Sequence, residues 1–406
     1  MLAPERRTRA DLYAAAAIAV VVVIVLVAVW AISDARGTVS QPAAHPLGPV
    51  TPADSPPTAL RELWDAPDGA AGRALFGGGV AITGDGGTVT GRDPATGAQV
   101  WKYQRDMPLC GLEVQQGTVV ATYRDRRGCS QTTLLTADTG ARRAARSSYM
   151  DDAVRLSSDG TYVVALGRDR MELWRPDLVR TLEYGYVDAP MNVRTQPRHD
   201  CALFSASSNT SRVAVVERCP DDAAVRLTVL NPAPKDNTVP EEYGSHVLTE
   251  PGAVSDGVRV IAVTDNRIAL YLPGTSTAAP ELAVYDQAAN FVGAHRLSGP
   301  IADTTATVRL GATFFVTTGT SLIALNATTL DPVWTAPDVL GTPVMLAGQL
   351  LAPIAEGLAV LDPGTGAQLS RIPVERKDYH REPSSLTLAG SIVLESRGGR
   401  LHGLGR

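Results

Sequence analysis

From Leu60 to the C-terminus, apolar residues come in short β-branched runs closed by Gly, Asp or small polar residues. Examples are VAITG (80–84), GTVVATYR (117–124), GTYVVALG (160–167), RVAVVERC (212–219), VRVIAVTD (258–265), TFFVTTG (313–319), QLLAPIAEG (349–357) and SIVLESRGG (391–399). Runs of this length and composition predict strands. Each is followed by a second strand, as in TLLTAD (133–138), LAVYDQ (282–287) or GLAVLDP (357–363), and then by a polar turn leading to a third. The turn is clearest in Gly91–Tyr103, GRDPATGAQVWKY, and in its near copy Leu361–Ile372, LDPGTGAQLSRI. TADTGAR (136–142), YDQAANFV (285–292) and LNATTLDPVW (325–334) are weaker versions. The Asp or Asn accepts backbone N–H groups two residues on, Pro presets φ, and Gly takes a positive φ.

The residues opening these turns are Asp93, Asp138, Asp177, Asn231, Asp286, Asn326 and Asp362, at intervals of 36 to 55 residues and a mean of about 45. That period predicts a repeat architecture of propeller blades. An eighth cassette begins at Leu386 and stops at Arg406 without an outer strand. Leu60–Asp65 (LRELWD) is expected to supply it, closing the ring and pairing an otherwise open sheet edge. The fold class expected is all-β, an eight-bladed β-propeller over residues 60–406, with seven blades as the alternative.

Residues 12–32 are 21 uncharged residues, enough for a helix to cross the hydrocarbon core of a bilayer. Arg6, Arg7 and Arg9 precede them, so residues 1–11 are expected in the cytoplasm and the remainder outside it. The run is longer than the apolar region of a cleaved signal peptide, which favours an uncleaved anchor. Residues 33–59 hold six prolines between Pro42 and Pro57 and read as an extended tether, holding the ring some tens of ångströms from the bilayer.

Composition narrows the partners. Residues 1–10 carry +2 of a total charge of −5, leaving −7 on the rest, and this mildly acidic body argues against a nucleic-acid binder, which would show a basic stripe. Only three lysines occur (Lys102, Lys235 and Lys377), an arginine bias of the kind found in high-GC bacteria such as actinobacteria.

The cassette A-x-D-x-x-T-G-x-x-x-W resembles the repeat of the quinoprotein-like (PQQ-type) β-propellers. Gly91–Trp101 fits closely. Ala137–Gly140, Leu361–Leu369 and Ala324–Trp334 fit in part, the last with Leu330 where Gly belongs. The resemblance implies a propeller and, in the enzymes of the family, a quinone lying over a vicinal disulfide with calcium held by acidic and amide side chains. No Cys-Cys pair, no C-x-x-C-H and no calcium-loop spacing is present, so no cofactor is expected. The membrane-anchored arrangement is similar in architecture to the propeller of the outer-membrane-protein assembly machinery.

Hydrolase and zinc-site motifs are also absent: there is no G-x-S-x-G and no H-E-x-x-H. The four cysteines are spaced to form two local disulfides in an oxidising compartment, Cys110–Cys129 and Cys201–Cys219; four buried thiols are the alternative. Three loops joining an outer strand to the next inner strand are richly polar, and they should gather at one mouth of the ring. They bring Arg105, Asp106, Arg194, Arg198, His199, Asp200, Lys377, Asp378, Tyr379, His380 and Arg381 as candidates for a partner or ligand face. The functional expectation is a non-catalytic, membrane-anchored propeller that scaffolds or recruits cell-envelope components, including membrane proteins. A lipid- or glycan-binding module is the second reading and a degenerate quinoprotein dehydrogenase the third.

Overall fold

The computed structural model describes residues 8–187, 195–303, 305–376 and 379–406. Apart from α1 (Arg9–Ile32) and two 3-10 turns, the regular structure is strand. Among the described residues the strands form seven sheets: five of four strands, one of five and one of nine.

The five-stranded sheet shows the plan. β1 (Val39–Gln41) lies outside a meander whose other strands come after β2 (Leu60–Pro67): β3 (Leu75–Gly77), β4 (Val80–Asp85), β5 (Thr88–Arg92) and β6 (Gln99–Gln104). In this sheet β3 is innermost and β6 is the meander's outer strand. The middle strands are buried on both faces between neighbouring sheets; Val80–Gly84 is buried at every position. That is why they read in the sequence as continuous apolar runs instead of an alternation. Outer strands such as Arg142–Ser147 and Phe291–Arg296 alternate between exposed and half-buried residues.

The turn between β5 and β6 forms as its residues dictate. Asp93 Oδ1 accepts the N–H of Ala95 at 2.8 Å and of Thr96 at 3.2 Å, and the Gly97 N–H returns to the Asp93 carbonyl at 2.8 Å. Gly97 sits at φ +72°, the left-handed region where glycine is at no disadvantage.

The nine-stranded sheet holds two antiparallel meanders joined by a two-residue parallel bridge, Leu60 and Arg61 against Val374 and Glu375. One meander spans Val344–Glu375. The other consists of Ser384–Ala389, Ile392–Arg397 and Arg400–Gly405, with β2 as its outer strand. β2 pairs antiparallel with the last strand, from Arg61 opposite Gly405 to Pro67 opposite Arg400. The start of the domain therefore closes the ring on its end, as its sequence predicts.

There is no single core. Apolar clusters each lie between two neighbouring meanders: Leu75, Ile82 and Trp101 meet Leu112, Tyr123 and Leu135, and the series returns to its start where Ala74 and Ala81 meet Leu394 and Leu401.

The tether expected between the helix and the ring is instead a strap. Val39, Ser40 and Gln41 pair with Gln104, Tyr103 and Lys102, extending the first sheet. The Ala43 N–H reaches the Thr139 carbonyl at 2.9 Å, Leu47 packs on the first cluster, and Ala53 packs on the cluster that holds Leu60 and Leu404. Small apolar residues between the prolines supply the contacts, and the proline-free Thr38–Gln41 supplies the paired strand.

Candidate functional site

Loops that join one sheet's outer strand to the next sheet's inner strand, and the hairpins between the two middle strands, lie on one face of the ring. The polar residues singled out in the sequence belong to these loops. The first loop puts the Arg105 guanidinium 5.3 Å from the centre of the Tyr123 ring, with Asp106 exposed beside it. In the second, Arg198 Nε donates to Glu217 at 3.1 Å, its terminal nitrogen to Tyr184 Oη at 2.9 Å, and it also pairs with Glu242. Burial disfavours the charged form of Arg198, but Tyr184 and Glu217 outweigh it and raise the pKa above the usual arginine range. His199 and Asp200 are exposed. In the third, the Tyr379 ring lies under Arg376 at 4.8 Å and Arg397 at 5.6 Å, its hydroxyl donates to the Glu382 carbonyl, and His380 and Arg381 are exposed. Arg194, Lys377 and Asp378 lie outside the described residues.

One device recurs. Arg105, Arg198 and Arg376 each leave the loop to dock on the second strand of the following sheet, at Tyr123, Glu217 and Glu395. Arg376 and Glu395 are both buried, and Glu395 also pairs with Arg397. The loop arginines thus fasten one sheet to the next, and Arg198 is a structural group as well as a member of the candidate face.

A further buried charge cluster is not legible in the sequence. Glu172 is fully buried and receives Arg146 at 3.2 Å, Arg170 at 2.7 Å, Arg180 at 3.1 Å and the Trp174 indole at 2.8 Å. Burial raises its carboxyl, but the three guanidinium groups outweigh this and hold it below the usual carboxylate range.

The inner strands surround an axial cavity of about 710 Å³. Its charged lining is Asp68, Arg73, Glu113, Asp159, Arg309 and Arg397, among serines, threonines and glycines. Glu113 pairs with Arg73, while Asp159 accepts Ser208 Oγ at 2.6 Å. Asp68 is 1% exposed; its Oδ1 accepts the Gly84 N–H at 2.9 Å and its Oδ2 has no partner. Burial is the main cause that pushes Asp68 up to about 7. The available signal in the sequence was a charge within an inner strand, as at Glu113 in LCGLEVQ and Arg309 in TVRL.

Both expected disulfides are formed. Cys201 and Cys219 join the ends of two adjacent strands, with Cα atoms 4.0 Å apart. Cys110–Cys129, with Cα atoms 6.0 Å apart, joins an inner strand to the third strand across the end of the second, not to a direct neighbour.

Residues 57–168 match the family model described as outer membrane protein assembly factor BamB, and the repeated strand meanders close into a ring. The chain is a β-propeller whose residues 57–168 match a PQQ-repeat model. No curated protein matches it. Among solved structures, this propeller is similar to the computationally designed Ika8 protein, with TM-score 0.58, 14% identity, and coverage of 86% of this chain and 99% of that one. It is similar to the C-terminal WD40 domain of Sif2, with TM-score 0.52, 10% identity, and coverage of 86% and 98%. A quinohemoprotein alcohol dehydrogenase from Pseudomonas putida HK5 gives TM-score 0.50 and 11% identity over 85% of this chain and 76% of that one. At these identities the likeness is one of fold.

The residues of this propeller do not fit the quinone site that the resemblance implies. Its cysteines are consumed in two disulfides between separated positions, and none is vicinal. The one metal-like grouping among the described residues is Cys201, Glu217 and Cys219. Both of its sulfurs are in a disulfide, and Glu217 is held by Arg198, Tyr184 and Thr228.

Proposed function

We propose that this chain is a non-catalytic, membrane-anchored propeller outside the cytoplasm that scaffolds cell-envelope components. In this reading residues 1–11 are cytoplasmic, 12–32 span the membrane, 33–59 strap the ring and 60–406 form eight blades. Eight is supported by the division of the nine-stranded sheet into two meanders and by apolar clusters at each sheet-to-sheet junction. The anchor is supported by α1, which is long and apolar enough to cross a membrane, and the outside location by two disulfides.

The observation that carries the scaffold reading is the use of charge. Carboxylates that could act as acid or base, Glu172, Glu217 and Glu395, are held in arginine networks that lock blades together. What remains for recognition is the exposed, charged loop face on a rigid ring. The matching family model is named for an assembly factor, which points the same way.

Cross-linking and pull-down of the full chain from membranes tests this. Recovery of a defined envelope or membrane protein, lost when Asp106, His199, Asp200, His380 and Arg381 are replaced by Ala, is the expected result. Dye-linked turnover after adding pyrroloquinoline quinone and calcium would overturn the non-catalytic reading. The axial cavity favours a second reading, a polar lipid headgroup or glycan ligand. Extraction of a ligand from the soluble ring would support it.

A further inference from the structure

We propose that the strap fixes the ring with its polar loop face against the bilayer, so that this face works at the lipid headgroup layer. The inference rests on the reading that α1 remains as an anchor.

The argument is one of chain length and register. α1 ends at Ile32, and Asp34–Gly37 follows as a 3-10 turn. Gly37 then sits against the loop after the first blade; a Cβ built on it would lie 2.6 Å from the Asp106 Cβ. Only five residue steps, from Ile32 to Gly37, separate the helix end from that contact. At roughly 2 Å per residue in a 3-10 turn they cover about 10 Å, and fully extended about 18 Å. The interfacial layer beyond the hydrocarbon is itself roughly 5–8 Å deep. From Gly37 the chain runs as β1 along the blade edge, away from the loop face, because Val39 pairs with Gln104 and Gln41 with Lys102. The loop face is therefore the end of the ring nearest the membrane, and the face bearing the Asp93 and Asp362 turns is the far end.

The surface fits that position. Among the described residues, the exposed aromatic side chains on the loop face are Tyr149 and Tyr186, 50% and 49% exposed, in the loops after the second and third blades. The Arg127 guanidinium lies 5.7 Å from the Tyr149 ring, and Arg168 is exposed beside the Tyr186 loop. Tyrosine and arginine both suit the boundary between apolar and aqueous phases. Exposed acids, among them Asp106 and Asp169, are interspersed, so the facing comes from the strap and not from a net charge on the loops.

All four native cysteines are paired, so an introduced cysteine is the unique free thiol. The full chain is reconstituted in phosphatidylcholine liposomes carrying a headgroup-attached nitroxide. A fluorophore is placed on Tyr149→Cys, Tyr186→Cys or, at the far face, Ala95→Cys. The expected result is quenching several-fold greater at Tyr149→Cys and Tyr186→Cys than at Ala95→Cys. A flexible Gly-Ser insert after Ser33 should abolish the contrast. Equal quenching at all three sites, or a contrast that survives the insert, overturns the strap-fixed facing while leaving the anchor intact. Intact mass of the protein purified from its native membrane decides the other part: loss of residues 9–32 overturns the anchor and the facing with it.

Discussion

Trp101 donates its indole N–H to the Ala137 carbonyl at 2.9 Å, across the junction between the first two blades, and its ring covers Gly140 in the second blade's turn. The relationship recurs. Trp64 donates to Pro94 at 2.8 Å and covers Gly97; Trp334 donates to Pro363 at 3.1 Å and covers Gly366. Each tryptophan of an outer strand thus latches the turn of the following blade. The Gly in the turn serves two purposes, a positive φ and room for that ring. Replacing Trp101 by Phe removes the donor and leaves a buried carbonyl unpaired, at an expected cost of about 1–3 kcal/mol by urea denaturation.

Gly97 and Gly86 separate the two purposes. Both have positive φ, +72° and +56°, but a Cβ on Gly97 would meet the Trp64 ring at 2.7 Å while one on Gly86 meets nothing within 4 Å. Gly86→Ala should cost about 1 kcal/mol, the backbone penalty alone. Gly97→Ala should cost about 2–3 kcal/mol, since the Trp64 latch must also shift. Equal costs for the two would mean that the ring above Gly97 yields freely.

The latch also shows what can be read from sequence. Asp, Gly and Trp at fixed offsets are local signals, so the strands, the repeat and the ring closure by Leu60–Asp65 were legible, as were both disulfides. The strap is not legible because its prolines resemble those of a free tether; what docks it is a partner surface assembled from the turns at Gly78–Gly79, Thr139 and Gly390. The axial lining was not legible for a similar reason. Asp68, Glu113, Asp159, Arg309 and Arg397 are spread over 329 positions of the chain and converge only when the ring closes. Nor does an arginine in a loop disclose whether it faces solvent, like Arg381, or locks the next blade, like Arg198.

Glu172 is expected to be far more sensitive than a surface carboxylate. Glu172→Gln leaves Arg146 without its counter-charge and Arg170 and Arg180 to share Glu183 alone, and should cost about 3–5 kcal/mol. Glu356→Gln, which breaks the exposed pair with Arg371, should cost under about 1 kcal/mol. Because the folded-state pKa of Glu172 is lowered, its contribution is present above about 4.5 and is lost as pH falls through the folded value. The gap between wild type and Glu172→Gln should therefore narrow on acidification, measured by urea midpoints from pH 7 to pH 3.

Asp68 has the opposite sign. Its folded pKa of about 7 stands above the ordinary 3.8, so the folded chain binds the extra proton between those values. Stability is free of the penalty below about 3.8 and declines as pH rises towards 7. Asp68→Asn keeps an oxygen for the Gly84 N–H and carries no charge, so it should match wild type near pH 4 and exceed it at pH 8 by up to ~4 kcal/mol. A difference independent of pH would show that Asp68 is ionised at little cost, with solvent reaching its second oxygen through the axial cavity.

The strap makes a prediction that a tether does not. Proteinase K acting on the detergent-solubilised full chain should cut between Ser33 and Gly37, releasing a ring that still begins near Thr38. Thr38–Pro57 should be protected because Val39–Gln41 is paired and Ala43, Leu47 and Ala53 are packed. A free proline-rich tether would instead be trimmed to about Thr58. Deleting residues 38–57, with α1 joined directly to the ring, should expose the edge of β6 and uncover the apolar patches beneath Ala43 and Leu47. The loss should amount to a few kcal/mol, at about 1 kcal/mol for each half-buried apolar side chain, together with concentration-dependent aggregation through the opened edge. Trimming to Thr58 with an unchanged melting temperature would show that the segment adds nothing to the ring, and its pairing with Gln104, Tyr103 and Lys102 would then have no energetic weight.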